Sequence, residues 1–237
     1  MPRTFVSLFG SGGDVLPSAG GGGITAPVLL ESTFSETSSQ TYNTGSVTLA
    51  NGVVHTIDVT NEHFSGAQAD TVSITGWTSE KTTVYGPSAG SLQRQTRLWR
   101  VGDGSTGALT INVAGGSGNK QCAWAIVKHP GVDASTPFAQ ASVSNNSDGV
   151  GAPNNLLLTL PSLIDAANNA IFAGFGTEGS AVTQDTGYTQ LSDSGTSGTT
   201  ETRIETQYKL AAQTTCQSTD IAAFEDIGGI ISEMKKA

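Results

Sequence analysis

Residues 92–138 carry the reading that decides the fold. They run Leu92-Gln-Arg-Gln-Thr-Arg-Leu-Trp-Arg-Val101, then Gly102-Asp-Gly-Ser-Thr-Gly107, then Ala108-Leu-Thr-Ile-Asn-Val113. A Gly-rich loop leads into Cys122-Ala-Trp-Ala-Ile-Val127, and the stretch closes on His129-Pro-Gly-Val-Asp133 and Thr136-Pro-Phe138. Three β-type runs separated by Gly, Asp and Asn turns predict an antiparallel sheet of short strands. The arginines at 94, 97 and 100 do not form one patch on such a strand, because Arg97 takes the face opposite to Arg94 and Arg100. They read as paired surface side chains.

The same pattern continues on both sides. Tyr42–Leu49 and Val53–Thr60 flank Asn51-Gly52, which predicts a hairpin. Thr71–Thr75, Lys81–Tyr85, Asn155–Leu160, Ala170–Phe175 and Glu201–Leu210 add further strands. Two segments are ambiguous. Leu163–Asn168 fits a single helical turn, and Ile221, Phe224 and Ile227 have helical spacing that Gly228-Gly229 opposes. The expectation is an all-β, antiparallel β-sandwich of two sheets, jelly-roll-like, over residues 27–237, with under about a tenth of the chain in helix.

Composition agrees. Thirty of the 237 residues are glycine, nearly twice the usual ~7%, as many turns require. Residues 1–26, with Gly20-Gly-Gly-Gly23, read as a flexible Gly-rich N-terminal arm. In it Phe5, Val6, Leu8 and Phe9 offer a short apolar anchor for a neighbouring subunit. Twenty acidic residues against eleven basic give a net charge of −9, which argues against nucleic-acid binding through displaced counterions. No run approaches the ~18 apolar residues of a membrane span, and the N-terminal apolar run is too short for a secretory signal. Cys122 and Cys216 allow one bridge or two buried thiols.

The chemical motifs are weak. Gly86-Pro-Ser-Ala-Gly90 has the form of a nucleophile elbow, but that needs a strand before it, a helix after it and downstream Asp and His partners. Here Ser88 precedes a strand, and His129 reads as a strand end. His55, Asp58, Glu62 and His63 offer metal-ligand types, yet His55 and Asp58 face opposite sides of a strand. Asn145-Asn-Ser-Asp-Gly149 lacks a calcium-loop pattern and reads as a turn, and its glycosylation sequon reads as inert. We therefore expect no catalytic residue, no cofactor and no metal. Trp99 and Trp124 read as core, while Trp77, at a strand end beside Gly76, is the aromatic expected to make contacts.

An internal echo links Gly76-Trp77-Thr78 and Trp99 to Gly187-Tyr188-Thr189 and Tyr208, at separations of 111 and 109 positions. It fits two related strand sets forming the two sheets of one sandwich, or coincidence between generic strand formers.

The order Gly76-Trp77-Thr78, Thr96–Gly104, Cys122–Asp133, Thr136-Pro137-Phe138 and Asn169–Phe175 resembles a group of tailed-bacteriophage virion proteins built on a β-sandwich. The resemblance covers roughly residues 70–235, carries no catalytic signature, and departs at His129-Pro130, where that group more often has an aromatic-Arg pair. It implies a particle-surface role in capsid decoration or tail, virion localisation, homo-oligomers and other virion proteins as partners. The alternative is a glycan-binding adhesion module of a phage or bacterial surface, with a host surface glycan as ligand.

Overall fold

A computed structural model describes residues 24–63, 71–86, 92–114, 119–148, 155–178, 181–196, 202–218 and 226–237. Among these residues every regular element is a strand and every pairing is antiparallel. The first half contains β1 (Val28–Ser35), β2 (Thr41–Thr48), β3 (Val54–His63), β4 (Thr71–Ser73), β5 (Thr78–Tyr85), β6 (Leu92–Val101), β7 (Thr106–Ala114) and β8 (Asn119–His129). The second contains β9 (Val143–Asp148), β10 (Leu157–Thr159), β11 (Ala170–Thr177), β12 (Thr189–Gly195), β13 (Arg203–Lys209), β14 (Thr215–Gln217) and β15 (Asp226–Met234). Residues 166–168 form a turn and no helix, and Ile227 belongs to β15. Gly228 and Gly229 therefore sit in a strand, where close neighbours leave no room for side chains.

The strands make four sheets where the sequence suggested two. The orders are β1-β8-β3-β6-β5, β2-β7-β4, β12-β13-β11-β15-β9 and β10-β14. Reversed, the third order reads β9-β15-β11-β13-β12, and it matches the first strand for strand. The fourth likewise matches β2-β7. The two halves of the chain thus share one topology.

The internal echo falls on equivalent places in that topology. Thr78 pairs with Trp99, and Thr189 pairs with Tyr208. Each edge strand then carries an irregularity at the same step, Ser79/Lys81 in one and Gln190/Ser192 in the other. Gly76 and Gly187 both take positive φ, 78° and 79°, as the tight turns entering β5 and β12 require. Leu49 donates its N–H to Ser105 as Leu160 does to Thr214. Each related set forms its own pair of sheets, so the expected assignment of one set to each sheet of a single sandwich is corrected.

Among the described residues apolar cores lie between the layers. Tyr42, Ile57, Leu98, Ile111 and Trp124 fill the space between the three-stranded sheet and its five-stranded neighbour. Leu158, Phe175, Tyr188, Cys216 and Ile227 do the same in the second half. Each such side chain, fully buried, contributes about 1.5–3 kcal/mol. Between the two large sheets the packing is mixed. Val54, Val127, Phe172 and Met234 cluster there, beside a buried ion pair between Arg97 and Asp58. Glycines of the second half accommodate the polar side chains of the first. A Cβ on Gly174 would lie 2.9 Å from Gln95 Nε2 and 3.2 Å from the Asp58 carboxyl carbon. One on Gly176 would collide with the hydroxyl oxygens of Tyr85 and Thr60.

Candidate functional site

The sequence candidates do not converge. Phe5, Val6, Leu8, Phe9 and Ser88 lie outside the described residues. At the end of the arm, Ile24 packs against the core between the large sheets. Trp77 is half-buried against the first core, and its indole nitrogen is buried too. Trp124 is core, with its indole N–H donating to Glu31 at 2.8 Å. Trp99 is less buried than expected and meets the Phe138 ring edge-on at 6.0 Å.

Arg97 is the clearest departure from expectation. It is fully buried, not a surface residue. Its Nε and Nη2 donate to the Asp58 carboxylate, and its Nη1 donates to the Phe172 carbonyl at 3.2 Å and Ser232 Oγ at 2.7 Å. The guanidinium also lies 4.4 Å from the Phe172 ring centroid. The alternation that separated Arg97 from Arg94 and Arg100 was the available signal. The second large sheet, which covers that face, was not visible in the local pattern.

The metal-ligand types are dispersed in the same way. The His55 ring Nδ1 lies 2.9 Å from the Val53 carbonyl, while Asp58 points to Arg97. Among the described residues no group of three or more His, Cys, Asp or Glu is arranged to hold a metal. His129 ends β8 as expected, fully buried, with Nε2 2.8 Å from Thr56 Oγ1 and its ring against Phe172. Burial, then Arg97 and His55, push its pKa down to about 3. Cys122 and Cys216 are both free and buried, and burial raises both thiols. Asn145–Ser147, read as a turn, forms part of β9, where Asn146 donates to the Val84 carbonyl of the first half at 2.9 Å.

A concave site lies where the halves differ. In the first half five residues connect β2 to β3 around Asn51-Gly52; the equivalent connection, residues 160–169, has ten. The longer loop folds over the end of β15 and faces residues 133–139. Between them lies a cavity of about 810 Å³ lined by Thr136, Phe138, Ile164, Asn168, Lys235 and Lys236 among others. Asp165 also lines it, but its carboxylate is turned onto its own loop, accepting from Ala167 N and Asn168 Nδ2.

A second carboxylate ties this loop to β15. Buried Glu233 accepts from Ile164 N at 2.9 Å, Asp165 N at 3.1 Å, Asn169 Nδ2 at 2.8 Å and Gln140 Nε2 at 2.5 Å. Burial alone would raise its pKa; these hydrogen bonds outweigh that and hold it below the usual carboxylate range. Opposite, Asp133 accepts from Lys235 Nζ, Ser135 and Thr136, and the same bonds keep its carboxyl well below the usual range. Lys236 Nζ meets only the Asn168 side-chain oxygen, at 3.3 Å, and has no ion-pair partner among the described residues. Tandem lysines in a chain poor in cations were the sequence signal for this site. Glu233, two positions before them, gave none, because the groups it binds, Asn169 and Gln140 among them, lie 64 and 93 positions away.

Comparison with protein-family models, curated proteins and solved structures finds no match for this chain.

Proposed function

We propose that this chain is a non-catalytic structural protein of a bacteriophage virion, on the particle surface in the decoration layer or the tail, built from two jelly-roll-like halves. The observation that carries the reading is the strand order. Eight strands folded as one long hairpin pair as 1–8, 2–7, 3–6 and 4–5. Wrapping that hairpin into two sheets gives 1-8-3-6 and 2-7-4-5. The first half contains β1-β8-β3-β6 and β2-β7-β4, with β5 moved to the outer edge of β6. The second contains β9-β15-β11-β13 and β10-β14. Jelly rolls serve in viral capsids and in lectins, so the order supports a particle role by analogy of fold. Partners would be other virion proteins and further copies of this chain. Repeated weak contacts on one particle would add up through effective concentration.

The test is mass spectrometry of purified particles with localisation of the protein by gold-labelled antibody. A fixed copy number on capsid or tail is expected. Recovery only from the soluble fraction of infected cells would overturn the reading.

A further inference from the structure

We infer that the cavity between residues 133–139, residues 160–169 and the end of β15 is a binding site for an acidic saccharide. The inference rests on the cavity and stands independently of the virion reading. Its first support is asymmetry. Two halves with matching strand orders differ in this connection, which is a five-residue hairpin turn in the first half and a ten-residue loop in the second. Such a loop needs contacts to hold one shape, and the Glu233 carboxylate supplies them, accepting three donors of the loop itself and one from Gln140. The site is therefore formed before any ligand arrives.

The second support is charge. In a chain of net charge −9, this cavity presents adjacent lysines, and Lys236 Nζ faces a side-chain amide oxygen, not a carboxylate. An incoming carboxylate would make a charge-assisted hydrogen bond there without displacing an existing ion pair. Lys235 keeps its own pair with Asp133 and contributes field more than contact.

The third is the nature of the remaining wall. Ile164 is 64% exposed, and with Phe138 it gives an apolar surface against which the C–H face of a pyranose ring packs. The main-chain donors around the cavity are already committed. Lys235 N donates to the Pro137 carbonyl, Lys236 N to Asn169 Oδ1, Ala237 N to the Gly131 carbonyl and Ala139 N to the Glu233 main-chain carbonyl. A peptide adding as a strand needs such donors free. A saccharide, held by side chains through a carboxylate and hydroxyls, does not. The volume, about 810 Å³, lies in the range of pockets that enclose a ligand of a few rings.

Calorimetric titration of the full chain tests this with three probes: tri-galacturonate, neutral maltotriose and tri-glutamate. Tri-galacturonate is expected to bind and to weaken as salt rises, with no binding by maltotriose. Lys236→Gln should weaken it about tenfold, the worth of one charge-assisted contact. Ile164→Ser, at an exposed position where folding is undisturbed, should weaken it without changing the salt dependence. Absence of tri-galacturonate binding would overturn the inference, as would equal binding of maltotriose or indifference to both substitutions. Binding of tri-glutamate alone would also overturn it, by making the site one for acidic peptides.

Discussion

Arg97 concentrates the residue-scale physics of this fold. It lies on a strand of the first half yet donates to a carbonyl and a hydroxyl of the second. Replacing it by Ala would leave the buried Asp58 carboxylate without its counter-charge, which costs on the order of 3–5 kcal/mol. Urea denaturation of Arg97→Ala should show that loss, and a change under about 1 kcal/mol would mean the pair is structurally idle. His129 sets a pH dependence of known sign. Its folded pKa of about 3 lies below the ordinary value of 6.5, so the unfolded chain takes up the proton first. Its contribution is complete above pH 6.5 and is lost as pH falls toward 3. Urea midpoints at pH 7, 5 and 3.5 should therefore fall more steeply for the wild type than for His129→Gln. Parallel curves would contradict the assignment.

At the scale of elements, the two large sheets are keyed by size. Tyr85 and Thr60 of the first half occupy the space that a side chain at position 176 of β11 would need. Gly176→Ala should destabilise the protein by about 1–3 kcal/mol, because neither sheet can move away without losing its own pairing. Gly107, an exposed position in β7 where an added Cβ would meet nothing within 4 Å, is the control. There Ala should be neutral or slightly stabilising, by a few tenths of a kcal/mol, through reduced chain entropy. Differential scanning calorimetry of the pair distinguishes crowding from glycine's backbone preference. Equal effects at both sites would show that the keyed contact is not real.

At the scale of the molecule, a repeated topology does not imply two independent folding units. The middle layer joins the halves through Arg97 with Phe172 and Ser232, Ser32 with Ser194, and Asn146 with Val84. It also buries Val54, Val127, Phe172 and Met234 together. One cooperative calorimetric transition is expected, with van't Hoff and calorimetric enthalpies in agreement. Two resolved transitions would show that the middle layer is a weak contact between separate domains. Circular dichroism should show a β spectrum without the helical double minimum.

The all-β class was legible from sequence because strand periodicity and turn chemistry are local: Asn51-Gly52 forms its turn, and alternation along residues 92–101 separates the faces of β6. The repeat left only an echo, in Gly76 and Gly187 and in the Trp99 and Tyr208 positions, which coincidence between generic strand formers explains equally well; the strand pairing identified it. What covers each face was not. Alternation says that Arg97 and Leu98 point oppositely, but both sides of β6 are buried, one by a small sheet and one by the other half of the chain. Only the tertiary structure decided that a charged side chain could lie inside, because its partners, Asp58, Phe172 and Ser232, come from strands up to 135 positions away. The cavity is of the same kind. Its lysines and its loop are adjacent in no stretch of sequence, and the Glu233 carboxylate that orders them acts through contacts made after the sheets have paired.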